Sequence, residues 1–416
     1  MDCYDSYKDS GVEWIGEIPD DWDCRPISTL YDSRNEKVSE RDFPALSVTM
    51  QGIVPQLETA AKSNDTENRK LVKKGDFAIN SRSDRRGSCG ISEYDGSVSL
   101  ITNVLKPKST SGMENRYYSY LFSSEHFSDE YYRNGMGIVD DLWSTNWSRM
   151  KRIYVPVPSY SFQVKIAKYL DEKTSQIDSL IEENEKSIEL LEEYRKSIIS
   201  EAVTKGIDPN APMKDSGVEW IGEIPEGWHV ARFKQVVSLL DVSTSEKPDN
   251  VIMLEDIESW TGKLISTSDP NNYKNGGKCF QKNDVLFSKL RPYLAKAVYA
   301  PFSGVCSGEM LVLRSSSIDH KFLQYHLLSH NFIDEINAAT YGAKMPRASW
   351  DIVGETQIAF PGLKKQKQIV SCLNEKTAQI DSLIDKKKQL IEKLTQYRKS
   401  LISECVTGKI KVPGVE

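Results

Sequence analysis

Lys8-Asp9-Ser10-Gly11-Val12-Glu13-Trp14-Ile15-Gly16-Glu17-Ile18-Pro19 recurs without a change as Lys214 through Pro225, 206 residues further along a chain of 416. Two more strings return at an offset of 203: Leu170 through Ile181 reappears as Leu373 through Ile384, and Tyr194 through Thr204 as Tyr397 through Thr407. Between these near-identities lie residues 24–158 and 230–361, which agree only weakly. A period near 205 is far too long for a solenoid, so the chain is one unit duplicated. Each copy is a divergent globular region followed by a nearly constant segment.

The constant segment reads as a long helix. Leu170, Ile177, Asn184, Leu191 and Ile198 recur every seven residues, with Leu180 and Tyr194 three places further on. The second copy gives Leu373, Ile380, Lys387, Leu394 and Leu401, with Leu383, Leu390 and Tyr397 three places on. A seam kept over four heptads is the signature of a coiled coil. Pro158 and Pro361 mark where the helices begin; Gly206 with Pro209 and Gly408 with Pro413 mark where they end. At 1.5 Å per residue each helix runs to about 65 Å.

Charge suggests how the helices pair. Residues 161–207 carry 7 basic and 10 acidic side chains, and residues 362–416 carry 12 and 6. Opposite net charge favours pairing with each other over pairing of like with like. The intervening folded region lets them run antiparallel, which brings Asn184 near Lys387 as a polar layer that sets register. The alternative for Lys387 is a stem that snorkels to solvent.

Composition is that of a globular protein: 39% hydrophobic and 27% charged. No apolar run exceeds four residues, so no bilayer span and no membrane partner is expected. The acidic start, Met1-Asp2-Cys3-Tyr4-Asp5, lacks the pattern of a secretory signal, and a cytoplasmic chain is expected. Seven cysteines without a Cys-x-x-Cys pair fit reduced thiols.

A net charge of −6 argues against nucleic acid at first sight, but the basic charge is concentrated. Residues 69–86 hold Arg69, Lys70, Lys73, Lys74, Arg82, Arg85 and Arg86 against Asp76 and Asp84. Residues 274–296 hold Lys274, Lys278, Lys282, Lys289, Arg291 and Lys296 against Asp284. The two clusters match at an offset of 208, and each precedes or overlaps a strand-like stretch, Asp76–Asn80 and Asp284–Ser288. Paired basic patches on a duplicated protein suit phosphate binding by both halves; a solvated face is the plainer reading of either patch alone.

Residues alike in both copies serve what the copies share. Phe127, Asp129 and Glu130 match Phe332, Asp334 and Glu335, Gly137 matches Gly342, and Trp147 matches Trp350. These read as core and turn residues, with both tryptophans buried. The loops that follow the paired glycines differ: Ile138–Leu142 against Ala343–Arg347, the latter with Lys344 and Arg347. That difference suits a base-reading element.

Catalytic signatures are missing. There is no phosphate-binding Gly-x-x-x-x-Gly-Lys-Ser/Thr loop, and Asp269-Pro270-Asn271-Asn272-Tyr273 lacks the second proline of a methyltransferase motif. Pro248-Asp249 has no acidic-x-Lys partner of a nuclease core within forty residues. His326 and His330, four apart on an expected helix, have zinc-compatible spacing, but their counterparts are Leu121 and Glu125, so a structural role is favoured.

The repeated Gly-Val-Glu-Trp-Ile-Gly-Glu-Ile-Pro string, the Leu-Asp-Glu-Lys-Thr helix start (Leu-Asn-Glu-Lys-Thr in the second copy) and the Tyr-Arg-Lys-Ser helix end, twice and in this order, resemble the DNA specificity subunit of type I restriction-modification systems. The resemblance covers nearly the whole chain. Of the family's usual Glu-Gln after the helix-start proline, only Gln163 and Gln366 remain. It implies an α+β protein: two mixed α/β target-recognition domains joined by two antiparallel coiled-coil helices, with pseudo-twofold symmetry. The corresponding boundaries are 1–160, 161–207, 208–361 and 362–416.

The resemblance further implies that each half reads one half of an asymmetric bipartite site in double-stranded DNA. The helices would set the spacing and hold two methyltransferase subunits, which restriction subunits that translocate DNA would join. The chain itself would catalyse nothing in its prokaryotic host, and S-adenosylmethionine, ATP and magnesium would belong to the partners. A stand-alone DNA-binding regulator, which should bind its site alone, and a coiled-coil scaffold, which should show no salt-dependent DNA affinity, are the competing classes.

Overall fold

The exactly repeated strings become hairpins: Tyr7–Asp9 pairs antiparallel with Glu17–Pro19, and Met213–Asp215 with Glu223–Pro225. The structure is a computed structural model that describes residues 3–56, 66–82, 85–108, 112–137, 143–244, 248–272, 277–340 and 345–414. It forms two units, Met1–Glu183 with Gln389–Glu416, and Asn184–Lys388. All seven cysteines are free thiols. No helix among the described residues is long and apolar enough to cross a membrane.

The first unit is built on a four-stranded sheet in the order Tyr31–Ser33, Thr102–Pro107, Phe77–Asn80, Cys89–Ile91, antiparallel throughout. The strand-like stretch of the sequence is one of its two inner strands: Phe77, Ala78, Ile79 and Asn80 are all buried. Helices Asn115–Ser123 and Glu125–Arg133 cover one face. Ser124 divides them, and its hydroxyl accepts from Phe127 N at 3.3 Å to cap the second.

The second unit repeats the order with Ser238–Leu240, Met310–Arg314, Val285–Ser288 and Ala297–Tyr299. Its helices are His320–Leu327 and His330–Ala339. Asp319 caps the first by accepting from Lys321 N and Phe322 N. A smaller three-stranded sheet accompanies each main sheet.

A central helix, Tyr160–Lys205, and a C-terminal helix, Leu363–Val406, follow the globular regions. A buried glutamine ties the start of each to its own region. Gln163 Nε2 donates to Pro158 O and its Oε1 accepts from Glu114 N, both at 2.8 Å. Gln366 does the same with Pro361 O at 2.8 Å and Asp319 N at 2.7 Å.

Within each unit the helices pack antiparallel. In the first, Leu170 and Ile177 share a core with Leu401 and Ile402, and Asp178 meets Arg398. In the second, Lys387 Nζ donates to Asn184 Oδ1 at 3.1 Å, Arg195 meets Asp381, and Ile198 packs with Ile380 and Ile384. The polar layer at Asn184 and Lys387 is thus a direct hydrogen bond. Of the other seven-spaced residues Leu373 is buried, and Leu191 and Leu394 are half-buried.

The partner positions differ from the expected seam. Leu180, Tyr194, Leu383, Leu390 and Tyr397, three places on, are all exposed. The inner face uses positions four places on instead: Thr174, Ile181, Arg195, Ala202, Thr377, Ile384 and Cys405 are buried or half-buried. At 3.6 residues per turn both sets flank the stripe. The four-on set includes small or self-satisfied side chains: Thr174 and Thr377 each donate to the carbonyl four residues back at 2.7 Å. The named ion pairs are also symmetric copies, Arg–Asp in one unit and Arg–Asp in the other, so they do not carry the opposite net charge of the two segments.

Trp147 and Trp350 are half-buried, contrary to expectation, and the fully enclosed indoles belong to Trp22 and Trp228. These follow the repeated hairpins and pack on helix ends: Trp22 near Gly408, Trp228 near Gly206. Phe127 and Phe332 are core residues as read, but Asp129 and Asp334 face solvent, where they pair with Arg86 and His330.

Candidate nucleic-acid interface

The structure splits each basic cluster between the two ends of an inner strand. At the leading end lies a tight turn built alike in both units. Asp76 accepts from Lys73 N at 2.9 Å and Asp284 from Gln281 N at 2.7 Å. The turn needs a left-handed residue, supplied by Gly75 at φ +87° and Asn283 at φ +78°. Each buried carboxylate then holds an arginine through two hydrogen bonds: Arg34 on Asp76, Arg314 on Asp284. Those bonds raise both arginine pKa values, so the arginines stay charged.

Several candidate cations sit at this end, and two of them are turned inward. Lys70 Nζ donates to Thr102 O at 2.5 Å, and burial lowers its pKa. Lys278 is half-buried and pairs with Asp241 at 3.0 Å. Lys73, Lys74 and Lys282 are exposed, Lys74 beside Glu93 at 3.2 Å.

At the trailing end two distant segments converge. Ser81 O accepts from Thr145 N and Lys289 O accepts from Ala348 N, both at 2.9 Å. One residue on, Arg82 bridges Ser144 and Leu290 bridges Arg347. The corner therefore has one backbone plan and two sets of side chains. The first unit presents Arg82, Arg85 and Arg86, all exposed. The second brings together half-buried Lys289 and exposed Arg291 and Arg347, the last paired with Glu309 at 3.0 Å. Lys344 and the loop 138–142 lie outside the described residues, as does Lys274.

The second corner is also strained. Arg291 at φ +50° and Ala295 at φ +44° bracket the turn Pro292–Leu294 in left-handed backbone. Non-glycine residues hold that conformation at a cost, and such positions cluster at functional sites. Arg291 N donates to Pro346 O at 2.9 Å, which locks the turn to the Arg347 segment.

Two residues at the first corner carry no signal in sequence spacing, Tyr132 and Trp143, and Asp129 stands out there only as a residue common to both copies. Tyr132 lies under Arg86, whose guanidinium carbon is 3.7 Å from the ring centroid. The zinc-like pair dissolves, because His326 and His330 stand on consecutive helices rather than one. His326 is enclosed by Phe233, Phe332 and Trp220, while His330 pairs with Asp334 at 3.2 Å. No metal-suited group of three or more His, Cys, Asp or Glu occurs among the described residues. Exposed cations on two matching corners suit an extended anionic partner whose fixed groups are contacted one by one.

Residues 225–395 match the family model described as "Type I restriction modification DNA specificity domain". The chain is 28% identical over 238 residues to the type I restriction enzyme EcoDI specificity subunit of Escherichia coli, which covers 52% of this chain and 53% of that protein. A similar stretch matches the MjaVIII specificity subunit of Methanocaldococcus jannaschii, also 28% identical, over 55% of that protein. The chain thus spans about half the length of these two relatives. It is 25% identical over 398 residues to the putative MjaX specificity subunit of the same organism, 86% of this chain and 87% of that one.

Among solved structures, a chain from a study of complex assembly and conformational transition of the type I R-M system superposes with a TM-score of 0.71 at 14% identity. It covers 94% of this chain and 99% of its own. The HsdS subunit from Thermoanaerobacter tengcongensis gives 0.53 at 14% identity, over 94% and 98%. At that identity both likenesses concern the fold alone.

Proposed function

We propose that the chain is a member of the type I restriction-modification DNA specificity family, whose model its residues 225–395 match, and the sequence-reading subunit of such a complex. Each unit reads one half of an asymmetric bipartite site, and the two long helices set the gap. The observation that supports this reading best is the shared corner. One backbone plan, Ser81–Thr145 and Lys289–Ala348, carries different side chains in each unit. A duplicated binder that reads two different half-sequences needs that combination.

Docking of two methyltransferase subunits on the helices is supported by the repeated exposed residues. Leu180 and Leu383, and Tyr194 and Tyr397, occupy matching places and leave apolar surface uncovered on each helix. On this reading the chain is non-catalytic and works in a prokaryotic cytoplasm. S-adenosylmethionine, ATP and magnesium then act on the methyltransferase and restriction partners.

The test is the methylated motif in cells with and without the gene. The proposal requires a bipartite motif that vanishes with the gene. Exchange of residues 24–158 for those of a relative should change one half-sequence and keep the gap. Tight, sequence-specific binding by the isolated chain with no effect on methylation would favour a regulator instead, and no salt-dependent DNA affinity in the assembled complex would favour a scaffold.

A further inference from the structure

Arg86 stands at the trailing corner of the first unit in a pre-built setting. Its guanidinium lies over Tyr132, with the central carbon 3.7 Å from the ring centroid. Its Nη1 donates to Asp129 Oδ1 at 3.1 Å. Asp129 and Tyr132 are three residues apart on the helix Glu125–Arg133, so one helical face offers both.

Trp143 extends the stack. Its ring centroid is 5.6 Å from that of Tyr132 with a tilt of 33°, and its Nε1 donates to Tyr132 O at 2.9 Å. The indole fits because residue 135 is glycine: a Cβ there would stand 2.1 Å from Trp143 Nε1. Two residues on, Thr145 is fixed by Ser81 O, Tyr131 O and Asn103 Nδ2, at 2.9, 2.6 and 2.8 Å. Hydrogen bonds thus tie the platform to the unit through both Trp143 and Thr145.

A free arginine side chain loses much rotamer entropy when a ligand fixes it. Here the ring and the carboxylate hold the fork before any ligand arrives, which reduces what binding must order. Among the described residues Asp129 is the one acceptor it meets, so the fork keeps donor capacity towards solvent.

The pairing with Asp129 selects the ligand. The Asp129 carboxylate is 72% exposed, and a DNA phosphate against Arg86 would also face that negative charge. The major-groove edge of guanine offers two neutral acceptors, O6 and N7, spaced for an arginine fork. Among the described residues the matching corner of the second unit shows no such stack: Leu294 and Asn337 occupy the places of Arg86 and Tyr132. The platform thus belongs to one half only, as a half-site determinant must.

We propose that Arg86 reads a guanine in the half-site of the first unit, with Tyr132 and Asp129 as its positioning residues. This rests on the DNA-reading function proposed above.

The experiment uses the full chain assembled with its methyltransferase partner. It measures competition by duplexes that carry each single base-pair change in the wild-type motif. Arg86→Ala and Arg86→Lys should each lose about tenfold to hundredfold discrimination at one G·C pair, since a lysine keeps the charge and lacks the fork. Tyr132→Leu should weaken discrimination at that same pair, whereas Tyr132→Phe, which keeps the ring, should preserve it.

Unchanged discrimination in the other half-site shows that the variants are folded. Uniform weakening over all sequences, with a salt slope shallower by about one, would make Arg86 a phosphate contact and overturn the proposal. Unchanged discrimination at every position would overturn it as well. A wild-type complex that prefers no sequence would refute DNA reading altogether, which is distinct from failure of the Arg86 assignment alone.

Discussion

Arg195 lies 3.1 Å from Asp381 and, with the same guanidinium, donates to the carbonyls of Trp260 and Thr261 at 2.7 and 2.9 Å. The arginine thereby joins the central helix, the C-terminal helix and a loop of the second globular region. Its repeat partner, Arg398, meets Asp178 at 2.8 Å in the first unit. The two pairs differ in burial: 6% and 17% exposed in the second unit, 35% and 53% in the first. Breaking a buried pair costs about 3–5 kcal/mol, whereas exposed pairs are worth about 0–1 kcal/mol.

Arg195→Ala is therefore expected to destabilise the second unit by about 3 kcal/mol, and Arg398→Ala to change the first by less than about 1 kcal/mol. Hydrogen exchange of helix amides in each unit reports the two effects separately. Equal effects would mean that burial does not set the difference.

His326→Leu should stabilise the protein. The ring is fully buried, and neither nitrogen has a hydrogen-bond partner among the described residues. Leu121 holds the matching place in the first unit. Removing an unsatisfied buried polar group recovers about 1–3 kcal/mol, less any packing mismatch.

The gain should also depend on pH. Burial lowers the His326 pKa to about 3 from an ordinary 6.5. Between those values the unfolded chain binds a proton that the folded protein refuses. This histidine's contribution to stability is therefore intact above about pH 6.5 and is lost as pH falls below it. The difference in Tm between variant and wild type should widen from pH 7.5 to pH 5. A constant difference would show that His326 is not what titrates.

Gly408→Ala should cost more than Gly206→Ala, although both glycines end a long helix in left-handed backbone, at φ +74° and +80°. Each substitution carries the roughly 1 kcal/mol of that conformation. At Gly408 the new Cβ would also stand 2.4 Å from Pro19 Cδ, against 3.3 Å from Trp228 Cζ2 at Gly206. Thermal melts should rank the variants in that order, and a reversed order would mean that the Pro19 hairpin yields freely.

Leu180, Tyr194, Leu383 and Tyr397 are expected to separate assembly from folding. Their exposure predicts that replacement by serine changes stability by no more than about 0.5 kcal/mol each. If the helices dock methyltransferase subunits, the same changes should weaken that association, as read by co-purification and by methylation in cells. Full association after all four changes would move the docking surface elsewhere.

The repeat, the two long helices and their limits were readable because each depends on local chemistry. An identical string folds as an identical hairpin, and apolar residues every seven places can bury only as a helix stripe. Glycine after the last turn and proline before the first act through their own backbone. The same locality made one inner strand of each main sheet visible as an apolar run after an aspartate.

Which side of the stripe packs was not readable. A turn of 3.6 residues lies between the three-on and four-on positions, so Leu180 and Ile181 compete for the inside, and the opposing helix chooses. The basic clusters misled for a related reason. Lys70 and Arg86 look like one patch along the chain, but an extended strand separates them, and Lys70 bonds to Thr102 O while Arg86 stacks on Tyr132. The platform under Arg86 joins residues 86, 129, 132 and 143, and the Trp22 hairpin closes on Gly408 from the far end of the chain. Such contacts depend on the chain's return path, which spacing in sequence does not encode, so packing in three dimensions assigns those side chains their partners.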